Sequence, residues 1–96
     1  MTAPAPKTID FAIRGPIERA DLPGLCDRVC ALLKRSGAKV AFCDVRGVGP
    51  DVVTADALMR LQLAARRRDC QVRLRHTSSE LRELLDFMGL RDVVPE

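Results

Sequence analysis

The stretch KVAFCDVRGVGPDVVTADALMRLQLAARRRDCQVRLR, residues 39–75, contains signals for a strand, a helix and a second strand in succession. Residues 39–45 form an almost continuous apolar run of strand length, which predicts a central strand covered on both faces, as in a parallel sheet. After a Gly-Pro loop, apolar residues recur at helical spacing from about Val53 to Arg68. Residues 71–75 alternate apolar and basic side chains, which predicts a short strand. A crossover of this length holds its helix, so the two strands are predicted to be parallel.

The same succession of strand and helix extends toward both ends of the chain. Apolar alternation over residues 9–13 predicts a first strand, and a 3.6-residue stripe from Asp21 predicts a first helix that Gly37 ends. TSSE, residues 77–80, has the spacing of a capping box and predicts the start of a third helix, which Gly89 ends. The order β-α-β-α-β-α predicts an α/β fold, with a small, mostly parallel sheet packed against three main helices.

Length and composition predict one folded domain. A chain of 96 residues holds a single core, and 47% hydrophobic with 30% charged residues is typical of a globular protein. Residues 1–7 lack periodicity and are predicted to be a flexible lead-in to a domain over residues 8–96. We find neither a secretory signal nor the roughly 18 continuous apolar residues of a membrane span, so a cytoplasmic protein without direct membrane insertion is expected. Reduced, mostly buried thiols are expected at Cys26, Cys30, Cys43 and Cys70.

The sequence lacks the common motifs of catalysis and cofactor binding. None of GxxxxGK[ST], GxGxxG, HExxH or GxSxG occurs, and Cys26 and Cys30 do not have the spacing of a zinc or redox motif. No motif places a nucleophile beside His76, which favours a surface or capping role for this histidine. We therefore expect no enzyme activity, no metal site and no cofactor.

The basic residues of the second helix and third strand allow two interpretations. They could form a patch for phosphate groups or for an acidic protein surface. Because stacking aromatic residues and a nucleic-acid motif are missing, solvent exposure is favoured and no nucleic-acid partner is expected. The residues concerned are Arg60, Arg66, Arg67, Arg68, Arg73 and Arg75.

Two polar residues lie at the predicted carboxyl edge of the strands, where open α/β sheets place their binding sites. Asp44 ends the central strand; it could be an acid, a base, a metal ligand or a phosphate acceptor, but hydrogen bonding to loop N–H groups is favoured. Thr54 is predicted to be an N-cap or first-turn residue whose hydroxyl accepts a backbone N–H. A phosphate on this hydroxyl would be tolerated by the helix dipole and would repel an acidic partner. From residue chemistry alone, the capping role is favoured.

Three stretches of the sequence occur in the order and spacing of one known family. GPIERADLPGLCDRVCALL (15–33) is similar to the family's strand end and first helix, and VAFCDVRGV (40–48) to its central strand. VRLRHTSSELRELLDFMGLRDVV (72–94) is similar to its last strand, last helix and Gly-Leu ending. Over about residues 9–94 the chain therefore resembles a STAS domain, the fold of bacterial anti-sigma factor antagonists.

The resemblance implies a non-enzymatic regulatory module that binds other proteins. Family members carry Asp-Ser-Ser-Gly at the start of the second helix, and their switch is phosphorylation of the second serine. Counted from Asp44, the matching positions are Val52, Val53, Thr54 and Ala55. The resemblance thus implies either a phosphorylation switch at Thr54 or a module that binds its partner without being phosphorylated.

The resemblance also implies the kind of partner. It is an anti-sigma factor of the GHKL-type serine kinase class. The alternatives are an accessory STAS subunit of a lipid-transporting ABC system, bound to the transporter ATPase, and a sensor of a small ligand such as a nucleotide or lipid. The predicted partner-binding surface is the loop before the second helix and the start of that helix, with the residues Asp44, Gly47, Gly49, Asp51, Thr54, Asp56 and Arg60.

Overall fold

The computed structural model describes residues 7–89, and its elements follow the predicted order. They are β1 (Thr8–Arg14), a short 3₁₀ helix (Arg19–Asp21), α1 (Leu22–Ser36), β2 (Val40–Gly47), α2 (Val52–Arg66), β3 (Gln71–Arg75) and α3 (Ser79–Phe87). The predicted α/β class, with three main helices and a small parallel sheet, is confirmed. None of the described helices combines the length and the apolar character needed to cross a membrane.

The sheet has the order β1-β2-β3, and all its strands are parallel. Phe11, Cys43 and Leu74 are aligned across the three strands. Because the strands are parallel, their carboxyl ends lie at one edge, where the chain leaves each strand toward the next helix. This edge includes the loop at residues 48–51 that leads into α2.

One face of the sheet forms the core with the helices. Alternate strand residues on this face are buried: Ile13, Ala41, Cys43, Val45, Val72 and Leu74. The buried face of α2 is largely made of small side chains, among them Ala55, Ala57 and Ala65. Small residues allow a helix and a sheet to approach closely, so the larger leucines of α2 can fill the remaining space.

Within residues 7–89 no helix packs on the other face of the sheet, so these residues do not cover β2 on both faces as predicted. Phe42 and Val40 on this face are only partly buried. The guanidinium of Arg75 lies 4.0 Å from the centre of the Phe42 ring, and the same side chain forms an ion pair with Asp10 at 3.2 Å. An arginine from the neighbouring strand thus covers the aromatic ring where a second layer of helices was expected.

The helix ends confirm two predictions and correct two others. Gly37 adopts φ +63° after α1 and its N–H donates to the Leu33 carbonyl, as predicted for a left-handed cap. Gly89 likewise has φ +78° after α3. The predicted capping box beginning at Thr77 is wrong, because Ser78 is the N-cap and its Oγ accepts the Leu81 N–H at 3.1 Å. The start of α2 is the second correction, and it belongs to the candidate site.

Two of the four cysteines are buried, as predicted, and two are half-buried on α1. Cys43 and Cys70 belong to the core, whereas Cys26 and Cys30 are partly accessible. Burial raises the pKa of the Cys43 thiol to about 12, and the charge of the adjacent Asp44 contributes in the same direction. Burial also raises the pKa of Cys26 and of Cys70. All three thiols are therefore held in the less reactive protonated form.

The raised pKa of Cys43 predicts a loss of stability in alkali. Unfolding returns the pKa from about 12 to its ordinary 9.0, so only the unfolded chain loses the proton between these values. The contribution is fully present below pH 9 and falls as the pH rises toward 12, at about 1 kcal/mol per pH unit. We expect urea unfolding from pH 8 upward to show a shallower pH slope for Cys43→Ala than for the parent protein. Equal slopes would contradict the prediction.

Candidate functional site

The loop between β2 and α2 is held close to the end of β1. The Gly47 carbonyl accepts the Gly15 N–H at 2.9 Å, which ties the start of the loop to the neighbouring strand. At the other end, a Cβ on Gly49 would lie 3.2 Å from the Asp51 Oδ2 atom, so a larger residue would press on this carboxylate. The loop is therefore short and constrained, with Pro50 and Asp51 exposed at its tip.

Asp51, and not Thr54, is the N-cap of α2. Asp51 has extended backbone angles, and its Oδ1 atom accepts the Thr54 N–H at 2.8 Å. Aspartate is among the preferred N-cap residues because its carboxylate satisfies a free N–H and complements the helix dipole. Thr54 thus lies in the first turn, where its backbone N–H donates to the capping carboxylate of Asp51. The prediction that its hydroxyl accepts a backbone N–H is wrong.

Thr54 points into the core. Its side chain is 0% exposed, and its Oγ1 atom has no hydrogen-bond partner among the described residues. A kinase needs an accessible hydroxyl, and a phosphate carries roughly two negative charges that cannot be buried without compensation. Phosphorylation of Thr54 therefore requires the first turn of α2 to open, and it stays a prediction.

Asp44 lies apart from the α2 surface. Asp44 lies on the same open face of the sheet as Phe42, whereas α2 packs on the other face. Its Oδ1 atom accepts the Arg46 N–H at 2.9 Å, so the carboxylate bonds a backbone N–H in the last residues of β2 and not, as predicted, one in the following loop. Asp44 therefore lies on the opposite face of the sheet from α2, because a strand alternates its side chains between faces, and its role in partner binding stays a prediction.

Asp56 and Arg60 lie in a stripe on the side of α2 that faces away from the sheet. Arg60 donates from Nε and Nη2 to the Asp56 carboxylate, at 3.3 Å in both cases, as the i, i+4 spacing predicts. Arg19 of the 3₁₀ helix also reaches Asp56, at 3.5 Å. The Asp56 side chain is only 16% exposed, so two guanidinium groups hold a mostly covered carboxylate.

Two exposed apolar residues complete this stripe, and the sequence analysis did not identify them. Among the described residues, three large hydrophobic side chains are exposed, and two of these, Val52 at 57% and Leu63 at 49%, lie on α2. The spacing of Val52, Asp56, Arg60 and Leu63 places all four on the side of the helix opposite its core residues. We call these four residues the α2 ridge. The signal in the sequence was the pair of apolar residues outside the core stripe.

The remaining candidates do not join this surface. Arg66, Arg67 and Arg68 lie at the far end of α2 and are exposed, as predicted, while Arg73 and Arg75 lie on β3. His76 is exposed after β3, in the left-handed region at φ +61°. Within residues 7–89, no group of three or more His, Cys, Asp or Glu side chains is arranged to hold a metal ion. The basic residues are thus divided between the end of α2 and the strand β3.

A groove lies elsewhere on the described part of the chain. It has a volume of about 520 Å³ and lies between β1 and α1, at the edge of the sheet. The loop at residues 48–51 and the α2 ridge contribute no residues to it. The α2 ridge therefore lies outside this groove, whereas Asp44 lines a smaller one of about 380 Å³ on the open face of the sheet.

No match to this chain is found among protein-family models or among curated proteins. The resemblance to STAS domains therefore depends on the three sequence stretches quoted above.

Removal of the cap tests the local structure of the site. Asp51→Ala deletes the acceptor for the Thr54 N–H, so we expect a loss of about 1 kcal/mol in the free energy of unfolding. Asp51→Asn keeps an acceptor and is the matched control, with a much smaller loss. Chemical denaturation of the three proteins checks this, and equal losses for both variants would show that the carboxylate does not cap α2.

Replacement of Thr54 by its apolar isostere tests the buried hydroxyl. Thr54→Val retains the shape of the side chain and removes an Oγ1 atom without a described partner. We expect the free energy of unfolding to rise by about 1 kcal/mol, because the cost of desolvating the hydroxyl disappears. A loss of stability on chemical denaturation would show that the hydroxyl has a hydrogen-bond partner in solution.

Proposed function

We propose that this chain is a non-enzymatic protein-interaction module, similar in its role to a bacterial anti-sigma factor antagonist and acting in the cytoplasm. The observation that carries the proposal is the α2 ridge, where two exposed apolar side chains lie on either side of a fixed ion pair. Scattered single apolar residues are normal on a protein surface, but a stripe of them beside ordered charges is typical of a contact site.

The ridge provides the two components of a specific interface. Val52 and Leu63 supply apolar area that loses water on contact, which provides affinity. Asp56 is held in place by Arg60 and by Arg19, so the orientation of these charges is set before the partner arrives. Ordered side chains lose less conformational entropy on binding than mobile ones. A complementary partner surface has an apolar groove with polar groups placed for these arginines.

The partner that the STAS resemblance implies is a GHKL-type anti-sigma factor. Phosphorylation of Thr54 would then act through local unfolding, because the buried site has no room for a solvated phosphate. The phosphate would also lie close to the Asp51 carboxylate, and the two negative charges repel. Loss of the cap would displace Val52 and the adjacent loop, so binding would weaken together with the first turn of α2.

A tagged form of the protein, purified from its native host, provides the first test. We expect mass spectrometry to recover a GHKL-type ATPase and to detect phosphate on a fraction of the Thr54 peptide. Recovery of a transporter ATPase with unmodified Thr54 would instead support an accessory subunit of a lipid-transporting ABC system. Recovery of neither class would leave the ridge without the proposed partner and would contradict the anti-sigma assignment.

Ridge variants test the docking surface directly. Val52→Asp and Leu63→Asp place a charge in the apolar contact, and we expect each to weaken binding to the recovered ATPase about tenfold or more. Phe87→Asp is the matched control, because Phe87 is 89% exposed on α3 and lies off the ridge. Affinity measured by calorimetry, with circular dichroism to verify folding, decides the result. Equal affinities for all four proteins would show that the ridge is not the contact surface.

A further inference from the structure

The two edges of the sheet are treated differently by the rest of the chain. On the outer edge of β3, the Val72 N–H donates to the Gln62 Oε1 atom of α2 at 3.3 Å. A side chain thus occupies part of the edge and hinders the pairing of another strand. Within the described residues, no strand pairs with the outer edge of β1, although β1 is the longer of the two edge strands. An unpaired edge of this kind is a template for another strand.

The backbone groups at the β1 edge point away from the sheet in a regular pattern. The Lys7 carbonyl accepts the Lys39 N–H, and the Gly15 N–H donates to Gly47, both at 2.9 Å. Because backbone direction alternates along a parallel strand, the odd-numbered residues face β2 and the even-numbered residues face outward. The outward N–H and C=O groups belong to Thr8, Asp10, Ala12 and Arg14.

A groove with both apolar and charged lining residues lies beside this edge on the helix side. It is the 520 Å³ groove between β1 and α1, and its lining includes Phe11, Leu25 and Leu32, all of them only partly buried. Arg14 and Arg28 lie at its rim. A strand added to β1 would place every second side chain against this groove and the alternate side chains on the open face.

The sequence of β1, TIDFAIR, is complementary to itself in one antiparallel register. With Ala12 on a two-fold axis, Asp10 lies opposite Arg14 of the second copy, and Phe11 lies opposite Ile13 of the second copy. The charged pairs form on the open face, twice by symmetry, and the apolar pairs form on the groove side. All the hydrogen-bonded positions in this register are even-numbered and therefore face outward.

We infer that β1 is a homodimer interface, with a second copy of this chain paired antiparallel along its edge. The two three-stranded sheets then form one continuous six-stranded sheet. Side chains of each β1 on the helix side lie against the groove of the other copy. Asp10, which already pairs with Arg75, accepts a second guanidinium from Arg14 of the second copy. The interface is isologous, so it closes at two subunits and does not extend into a fibre. It lies away from the α2 ridge, so a dimer presents two docking surfaces.

Sedimentation equilibrium on the purified full-length protein tests the dimer. We expect a dimer with a dissociation constant on the order of 10 μM, since one short strand and one groove make a small interface. Ala12→Pro removes the N–H on the symmetry axis and weakens association by roughly a hundredfold, while proline is tolerated at a strand edge. Ala12→Thr, which retains the N–H and suits a strand, is the matched control and stays dimeric.

Charge reversal identifies the register. Arg14→Asp places two carboxylates opposite one another at both symmetry-related positions, and we expect association to weaken by about tenfold. The double variant D10R/R14D restores the opposite charges across the interface and should recover most of the lost affinity, but not all of it, because an arginine at position 10 no longer pairs with Arg75. Both positions are exposed, so these variants remain informative even if Ala12→Pro fails to fold, which circular dichroism would show.

Each outcome of these measurements decides the proposal. A parent protein that stays monomeric up to about millimolar concentration overturns it and leaves the β1 edge to a different partner, such as an extended peptide. A dimer that Ala12→Pro and Arg14→Asp do not weaken overturns it as well, because that dimer uses another surface. Val52→Asp is expected to stay dimeric, so failure of the dimer and failure of the α2 ridge as a docking surface are distinguishable.

Discussion

The contact between one face of a three-stranded parallel sheet and the helices above it is the constraint on which the rest of the molecule depends. Three strands are narrow enough for the crossover helices to bury a single face, and residues 7–89 leave the second face open. Small residues on β2, Ala41 and Cys43, allow the helix layer to approach closely. The same arrangement leaves Phe42 exposed to water unless a polar side chain covers it, and Arg75 does so from the next strand.

The start of α2 follows from this packing. Asp51 caps the helix through the Thr54 N–H, which sets the rotation of the first turn and directs the Thr54 side chain into the core. The same rotation directs Val52 and Asp56 away from the sheet. The cap therefore both buries the Thr54 hydroxyl and exposes Val52 on the α2 ridge, so the accessibility of both side chains depends on one hydrogen bond. A substitution at Asp51 or at Thr54 is therefore expected to affect both the burial of the hydroxyl and the position of Val52.

Much of the fold could be predicted from sequence because its signals are local. The span of β3, Gln71–Arg75, and the left-handed cap at Gly37 depend on neighbouring residues. The sequence could not show what lies on the second face of β2, since an apolar run has the same pattern whether a helix or an arginine side chain packs on it. Arg19 could not be connected to Asp56, because 37 residues separate them. The sequence could not decide whether Thr54 is the N-cap of α2 or a first-turn residue, because Asp51 and Thr54 are both good capping residues; the hydrogen bond from the Thr54 N–H to Asp51 places Thr54 in the first turn.

A buried hydroxyl without a described partner also bears on how α2 can open. In the closed state the Thr54 Oγ1 atom has lost its water and gained no hydrogen bond, which costs roughly 1–3 kcal/mol. Opening the first turn restores hydration to this atom, so the free energy needed to expose it is smaller by about that amount. An apolar residue of the same shape would hold the turn closed more firmly. Threonine at this position is therefore compatible with a helix start that opens locally while the leucines of α2 remain packed, and such an opening is what a phosphorylation switch at Thr54 needs.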